Sequence, residues 1–155
     1  MNRKLKVLVA DDIERLAQNI VDVVSVNENV GEVKMVKNGK ELIDTIVEWE
    51  PDIVFTDNQM PILNGVDVIL QIKMMTDYPN KPQFILVTAD PDPEIMRLGM
   101  KNNFFVEYKP ISEEDINQHI EIYLDSQENT KQEIKEETQE IRKKEGFFKK
   151  LLNNL

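Results

Sequence analysis

The chain has 155 residues, a formal net charge of −10 and no cysteine. Hydrophobic residues make up 41% of it, which is enough for a buried core and excludes disorder throughout. The acidity argues against a nucleic-acid partner, which needs a positive surface, and the lack of cysteine excludes disulfides and thiolate chemistry. No apolar stretch has the length of a membrane span, so the composition predicts a soluble cytoplasmic protein.

Four short apolar runs predict buried β-strands, a further stretch predicts a half-buried strand, and the amphipathic stretches between them predict helices. In chain order, the strands are expected at residues 5–10, 32–36, 53–56, 84–88 and 104–109. The helices are expected to begin near residues 13, 39, 66, 93 and 113. Near-continuous apolar strands that alternate with amphipathic helices favour an α/β fold, with a parallel sheet covered by helices on both faces.

Five polar residues stand at or just past the ends of these strands: Asp11, Asp12, Asp57, Thr88 and Lys109. Because the strands of such a sheet point the same way, their carboxyl ends meet at one edge, where α/β proteins form their sites. Each residue alone has an ordinary structural explanation; Asp12, for example, suits the N-cap of the first helix. The five together indicate a functional site.

The chemistry of this set is that of phosphoryl transfer. Packed carboxylates repel one another unless a cation compensates, and Lys109 supplies one positive charge. Mg²⁺ binds through a few carboxylates plus water, which suits Asp11, Asp12 and Asp57. Asp57 could then act as a nucleophile, while the hydroxyl of Thr88 donates to a phosphoryl oxygen.

Four stretches of the chain resemble motifs of the receiver domain of two-component response regulators. They are Val7–Asp12, Asp57–Pro61 with Gly65, Leu86–Ala89, and Lys109–Pro110. The resemblance covers roughly residues 4–125, and the order and spacing of the motifs make it specific. It implies a flavodoxin-like (βα)5 fold with strand order 2-1-3-4-5.

The resemblance also implies a role for each acidic residue. Asp57 would accept a phosphoryl group from a histidine kinase or a phosphotransfer protein. Mg²⁺ would be bound by Asp57, directly by Asp12, mostly through water by Asp11, and by the backbone carbonyl of Gln59.

In the same way, Thr88 and Lys109 would bind the phosphoryl oxygens, and the Lys109–Pro110 peptide bond would be cis. The protein would not be an enzyme in the ordinary sense, although it would catalyse its own phosphorylation and dephosphorylation. Gln59 and Asp90, each two residues past a site residue, are expected to set the lifetime of the phosphate.

One part of the family pattern is missing. Receiver domains carry an aromatic residue three positions before the lysine, whose rotamer changes with phosphorylation. Val106 occupies that position here, with Phe105 and Tyr108 nearby. The switch is therefore expected to use Phe105 or Tyr108, or to be carried differently.

The last part of the chain has a different composition. Residues 1–125 are predicted to form the receiver domain, and residues 126–155 a charged helical extension that ends in a short amphipathic segment. Ile134, Ile141, Phe148 and Leu155 recur every seven residues, but the companion positions are polar, so a stable coiled coil is not indicated. Gly146 is expected to separate the amphipathic segment from the charged helix.

The amphipathic segment is expected to dock on an unknown output protein through residues 147–155. Its apolar length is short for stable membrane binding alone, so a membrane partner is not expected. A dimer that forms on phosphorylation is left open by the sequence. His119, the only histidine, is expected on the surface of the last helix of the domain.

The leading interpretation is a phosphorylation-activated signalling protein that acts by protein contact or as a phosphorelay carrier. An alternative is a binding module with the receiver fold that is never phosphorylated. A less favoured one is a phosphatase with an aspartate nucleophile. Such enzymes place a second, general-acid Asp two residues after the nucleophile, whereas Gln59 stands there in this chain.

Overall fold

The computed structural model describes residues 3–155. The strands are β1 Leu5–Ala10, β2 Val30–Val36, β3 Ile53–Thr56, β4 Gln83–Thr88 and β5 Phe105–Tyr108. The helices are α1 Glu14–Ser25, α2 Gly39–Trp49, α3 Gly65–Met74, α4 Pro93–Asn102 and α5 Glu113–Asn153. Strands and helices therefore alternate throughout, as the apolar pattern predicts.

The five strands form one parallel sheet in the order β2-β1-β3-β4-β5. This confirms the predicted flavodoxin-like α/β fold. All four residues of β3 are buried. Because successive side chains of a strand point to opposite faces, burial of all four requires that both faces of the sheet are covered.

The core lies on the central strands. It includes Leu8 of β1, Val54 of β3 and Leu86 of β4, together with apolar side chains of the helices such as Leu42 and Ile69. All five of these residues have no exposed side-chain surface. A packed sheet of this kind fixes the positions at which the chain leaves each strand, and the candidate site lies at those positions.

Within residues 3–155, side-chain caps start four of the helices, and at α5 the Ser112 hydroxyl oxygen accepts from the N–H of Asp115 at 3.0 Å. Asn38, Asn64 and Asp92 accept hydrogen bonds from backbone N–H groups in the first turns of α2, α3 and α4. The predicted cap of α1 by Asp12 is wrong, because Ile13 is the N-cap residue and makes no side-chain capping bond. The carboxylate of Asp12 is therefore not used by the helix.

The chain divides into two compact units, one that ends at Ile120 and one that spans Glu121–Leu155. The domain boundary expected after residue 125 stays a prediction. The expected break at Gly146 is wrong, because α5 continues through it to Asn153. A glycine costs a helix only about 1 kcal/mol relative to alanine, and the Lys, Glu and Leu residues around it are good helix formers. Within residues 3–155, no helix is both long and apolar enough to cross a membrane.

Candidate functional site

The strand ends bring the predicted site residues to one edge of the sheet. Asp11 directly follows β1, Asp57 follows β3, Thr88 is the last residue of β4, and Lys109 follows β5. Backbone bonds extend the sheet by one residue here, since the N–H of Asp57 donates to Ala10 O at 2.8 Å and that of Lys109 donates to Thr88 O at 2.8 Å. These bonds hold the functional side chains in register with their strands.

Three carboxylates meet at this edge. Asp11, Asp12 and Asp57 each offer an oxygen, and these oxygens all lie within 4.8 Å of one another. Asp11 is 4% exposed and Asp57 7%, whereas Asp12 is exposed to solvent. The cluster therefore has a buried side, which fixes its geometry, and an open side, which solvent and ions can reach.

The ammonium of Lys109 bridges the two buried carboxylates. Its Nζ donates to Asp11 Oδ2 at 2.9 Å and lies 3.3 Å from Asp57 Oδ1. Burial alone would lower the pKa of Lys109, but the hydrogen bond to Asp11 and the charges of Asp57 and Asp11 together raise it. Lys109 is therefore a fixed positive charge at neutral pH.

The carboxyl group of Asp57 has a raised pKa. Burial is the main cause, and the charge of Asp11 adds to it; the ammonium of Lys109 and the N–H of Asn58 offset part of the shift. One lysine thus compensates the two buried carboxylates only in part. Because burial disfavours the anionic form of Asp57, a further cation bound beside it would stabilise the carboxylate.

The acidic cluster fits a hard divalent cation. Three carboxylate oxygens within 4.8 Å of one another, one of them on an exposed side chain, suit the few carboxylates plus water by which Mg²⁺ is held. Bound there, Mg²⁺ would neutralise charge on a phosphoryl group at Asp57. Nothing in the donor set favours a softer metal, since it contains no sulfur or imidazole.

A cavity of about 270 Å³ opens beside Asp57. Its walls include Asp12, Thr88 and Lys109, and also Gln59 and Asp90, so the structure brings both modulating candidates to the site. The Thr88 hydroxyl oxygen accepts a hydrogen bond from the N–H of Asp90 at 3.0 Å. Because this bond uses a lone pair, the hydroxyl proton is left as a donor for an anion in the cavity.

Asn58 has a structural role that the sequence pattern did not reveal. Its N–H donates to Asp57 Oδ1 at 2.8 Å, and its side-chain oxygen accepts from the N–H of Val66 at 3.1 Å. Its backbone oxygen also accepts from Gly65. Asn58 therefore ties the carboxylate of Asp57 to the start of α3, and only the three-dimensional path of the loop shows this.

The three switch candidates face different elements. Tyr108 pairs with Thr88 across β4 and β5 and is 44% exposed. Val106 points towards α4, where its Cγ2 would lie 3.0 Å from a Cβ added at Gly99. The ring of Phe105 packs edge-on against His119 of α5, with 4.9 Å between ring centroids.

The expectation that His119 lies on the surface is wrong. Its side chain is buried, and Nε2 lies 2.7 Å from Glu107 Oε1. Glu107 and Phe105 belong to β5, so both partners become neighbours of His119 only when the strand packs against α5. A lone polar residue in an amphipathic helix gives no sequence signal for such a pair.

The fold and the site together define a class. It is an α/β protein with a parallel (βα)5 sheet and a candidate site at the carboxyl edge, where carboxylates and a lysine suit the chemistry of phosphoryl groups. The chain belongs to the response regulator receiver domain family, whose model matches residues 7–121. Receiver domains of response regulators work in phosphorylation-based signalling.

Similar proteins agree with this assignment. The protein-glutamate methylesterase/protein-glutamine glutaminase of Methanococcus maripaludis is 33% identical over 69 residues, which cover 44% of this chain and 19% of that protein. The chain spans about a fifth of the length of the curated relatives it matches. The methylesterase and glutaminase activities are those of the relatives.

Solved structures share the fold. The signal receiver domain of a putative Luxo repressor protein from Vibrio parahaemolyticus superposes with a TM-score of 0.72 at 19% identity, covering 83% of this chain and 95% of that one. A CheY-like response regulator receiver domain protein from Methanospirillum hungatei gives 0.71 at 18% identity, covering 83% and 99%. At this identity, both support the fold alone.

Proposed function

We propose that the chain is a phosphorylation-activated signalling protein in which Asp57 accepts a phosphoryl group from a histidine kinase or a phosphotransfer protein. A carboxylate oxygen of Asp57 attacks phosphorus, a P–O bond forms, and the P–N bond to the donor imidazole breaks. The observation that carries the proposal is the cluster of three carboxylates around one ammonium, with Lys109 Nζ 2.9 Å from Asp11 and 3.3 Å from Asp57.

The residues around Asp57 are proposed to bind the metal ion and the phosphoryl group. Asp11, Asp12 and the backbone carbonyl of Gln59 are proposed to hold Mg²⁺ together with Asp57. Lys109 and the hydroxyl of Thr88 are proposed to bind the phosphoryl oxygens, a role that fits their place in the wall of the cavity. The state of Asp57 is then communicated by protein contact or by passing the phosphoryl group on. The cytoplasm is the proposed compartment, with which a chain free of cysteine is compatible.

The decisive experiment is incubation with a small phosphodonor and Mg²⁺, followed by intact-mass measurement. The parent chain should gain one phosphoryl group, and Asp57→Asn should gain none. Asp90→Asn is the matched control, because it removes a carboxylate from the wall of the same cavity and should still be phosphorylated. A parent chain that gains nothing from a small donor or from a kinase would instead be a binding module with this fold.

Gln59 and Asp90 are proposed to set the lifetime of the phosphate. Both side chains line the cavity beside Asp57, from which water would attack the acyl phosphate. Gln59→Ala and Asp90→Ala should each change the rate at which the phosphorylated mass decays. Decay rates equal to that of the parent in both variants would remove this role.

Tyr108 is the proposed partner of Thr88 in switching. It lies opposite Thr88 in the register of β4 and β5, whereas Phe105 is held against His119. Phosphorylation should then change amide hydrogen exchange in α4 in the parent chain and in Phe105→Ala, but much less in Tyr108→Ala. The reverse order of the two variants would assign the role to Phe105.

A further inference from the structure

The charge of the chain changes sign near its last turns. Residues 142–155, here called the basic segment, contain five bases and one acid, a formal charge of +4. Residues 1–141 contain 14 bases and 28 acids, a formal charge of −14. Within the second unit the change is abrupt, because residues 121–141 contain seven acids and two bases. Solvation of a helix alone does not explain why its acidic and basic residues lie in separate blocks.

The basic segment also exposes large apolar side chains. Phe147, Phe148, Leu151 and Leu152 are 63%, 64%, 47% and 69% exposed. Their spacing places them on one face of α5, where the helical backbone is continuous from Glu113 to Asn153. The rings of Phe147 and Phe148 lie edge to face, with 6.1 Å between centroids.

Continuity of the helix through Gly146 lengthens this apolar face. Ile141, which is 57% exposed, stands seven residues before Phe148 and so lies on the same side of α5. Arg142, Lys149 and Lys150 lie on the other side of the helix. An apolar stripe with a basic face opposite is the pattern of helices that lie in a membrane interface.

We propose that the basic segment binds the surface of a membrane that contains anionic lipids. Apolar length alone argued against a membrane partner, but interfacial binding also grows with electrostatic attraction to anionic headgroups. The apolar stripe and the bases supply these two contributions together. A protein groove would need the stripe but not the five bases, so the charge favours the lipid surface.

A second copy of the chain fits the apolar stripe less well than a membrane surface does. A helical dimer through the stripe would need apolar residues at the companion heptad positions. Glu137 and Lys144 stand at two of these positions, and Lys144 forms an ion pair with Glu140 at 3.5 Å. The apolar side chains concentrate instead in the last two turns, as a short interfacial anchor requires.

The acidic remainder of the chain limits the strength of binding. A formal charge of −14 on residues 1–141 is repelled by an anionic surface, so attraction is confined to the basic segment. The binding is therefore reversible and weakened by salt, because screening acts over about 10 Å at 0.1 M ionic strength.

The test is co-sedimentation of the 155-residue chain with vesicles of phosphatidylcholine, with and without phosphatidylglycerol. Binding to the anionic vesicles should be roughly tenfold stronger or more, and should fall as salt is raised. Phe148→Asp should abolish it, whereas Ile134→Asp, an exposed apolar residue of the same helix outside the segment, should change it little. Circular dichroism of each variant should retain the helix.

A charge-swapped pair separates the two contributions. Lys149→Glu with Lys150→Glu should remove the preference for anionic vesicles, while Lys131→Glu with Lys135→Glu makes the same change in net charge outside the segment and should keep it. Equal binding to neutral and anionic vesicles, no binding to either, or self-association through Phe148 without vesicle binding would each overturn the proposal. Asp57→Asn should bind vesicles like the parent, so this test is independent of the proposed phosphorylation.

Discussion

The carboxyl edge of the sheet buries charged side chains, whereas the basic segment exposes apolar ones. At the edge, the charged groups Asp11 and Asp57 are less than a tenth exposed. In the basic segment, Phe147 and Phe148 are more than half exposed. Most proteins bury apolar side chains and expose charged ones. Both regions therefore indicate a function rather than a contribution to the stability of the fold.

The two regions differ in how their geometry is produced. The edge is assembled from residues that are up to 98 positions apart in the chain and are brought together by the sheet. The basic segment obtains its apolar face from the repeat of one helix, which ends at Asn153. Substitutions at the edge should therefore disturb packing and charge balance, whereas those in the segment should leave the stability of the receiver unit unchanged.

Two glycines give the sharpest form of this comparison. A Cβ added at Gly65 would lie 2.2 Å from the backbone oxygen of Asp57, whereas nothing lies within 4 Å of one added at Gly146. Gly65→Ala should lower the free energy of unfolding by about 3 kcal/mol, because backbone must move to make room. Gly146→Ala should leave it unchanged.

Fluorescence of Trp49 during urea unfolding measures this effect, since Trp49 is the only tryptophan and lies in the first unit. Gly65→Ala should also reduce phosphorylation, because the displaced backbone belongs to Asp57, the proposed phosphoryl acceptor. A Gly65→Ala variant as stable as Gly146→Ala would show that the β3–α3 loop adapts freely, and the contrast between the two regions would be lost.

The next largest effect is expected at Lys109. Lys109→Met leaves two buried carboxylates without their shared cation and should cost about 2 kcal/mol in EDTA. Mg²⁺ should restore part of this loss because it supplies the missing charge. Lys40→Met breaks an exposed ion pair with Asp44 and should cost no more than about 0.5 kcal/mol. Equal losses in the two variants would mean that the buried pair is no stronger than a surface one.

The strands that carry the site could be predicted because each is a short apolar run with a polar residue at or just past its carboxyl end. The direction of a parallel sheet then brings Asp57 and Lys109 to one edge without further information. Contacts that depend on packing could not be predicted. His119 meets Glu107 only across β5 and α5, and Asn58 reaches Val66 only through the path of a loop. The break expected at Gly146 failed because a local preference was outweighed by the helix on either side.

The charge balance at the carboxyl edge of the sheet predicts a smaller effect on the free energy of unfolding. This effect stabilises the fold, whereas the two substitutions above destabilise it. Burial raises the pKa of Asp57, so the folded chain disfavours its anionic form at neutral pH. Asp57→Asn should therefore raise the free energy of unfolding in EDTA, because it removes the carboxylate whose anionic form burial disfavours. Mg²⁺ should shrink this gain, because it stabilises the parent carboxylate. Asp90→Asn, in the wall of the same cavity, is the control and should show no such gain.

The pH dependence follows from the same shift. Above the unfolded-state pKa, near 3.8, the unfolded chain loses the proton of Asp57 while the folded chain still holds it. The folded state then binds more protons than the unfolded state, so this group's contribution lowers stability as the pH rises through that window. The difference between Asp57→Asn and the parent should therefore grow with rising pH in EDTA and level off once the native carboxyl is ionised. A difference that shrinks with pH would contradict the raised pKa.

The smallest effect is expected in the basic segment itself. Gly146→Ala replaces the residue that most weakens the middle of α5 and should stabilise the local helix by about 0.5–1 kcal/mol. Amide hydrogen exchange should slow in residues 142–152, while unfolding followed by Trp49 stays unchanged. The same variant should bind anionic vesicles more tightly, since less helical order then has to be gained at the surface. Slower exchange without tighter binding would mean that the segment is already ordered in solution, whereas unchanged exchange would show that Gly146 does not weaken the helix.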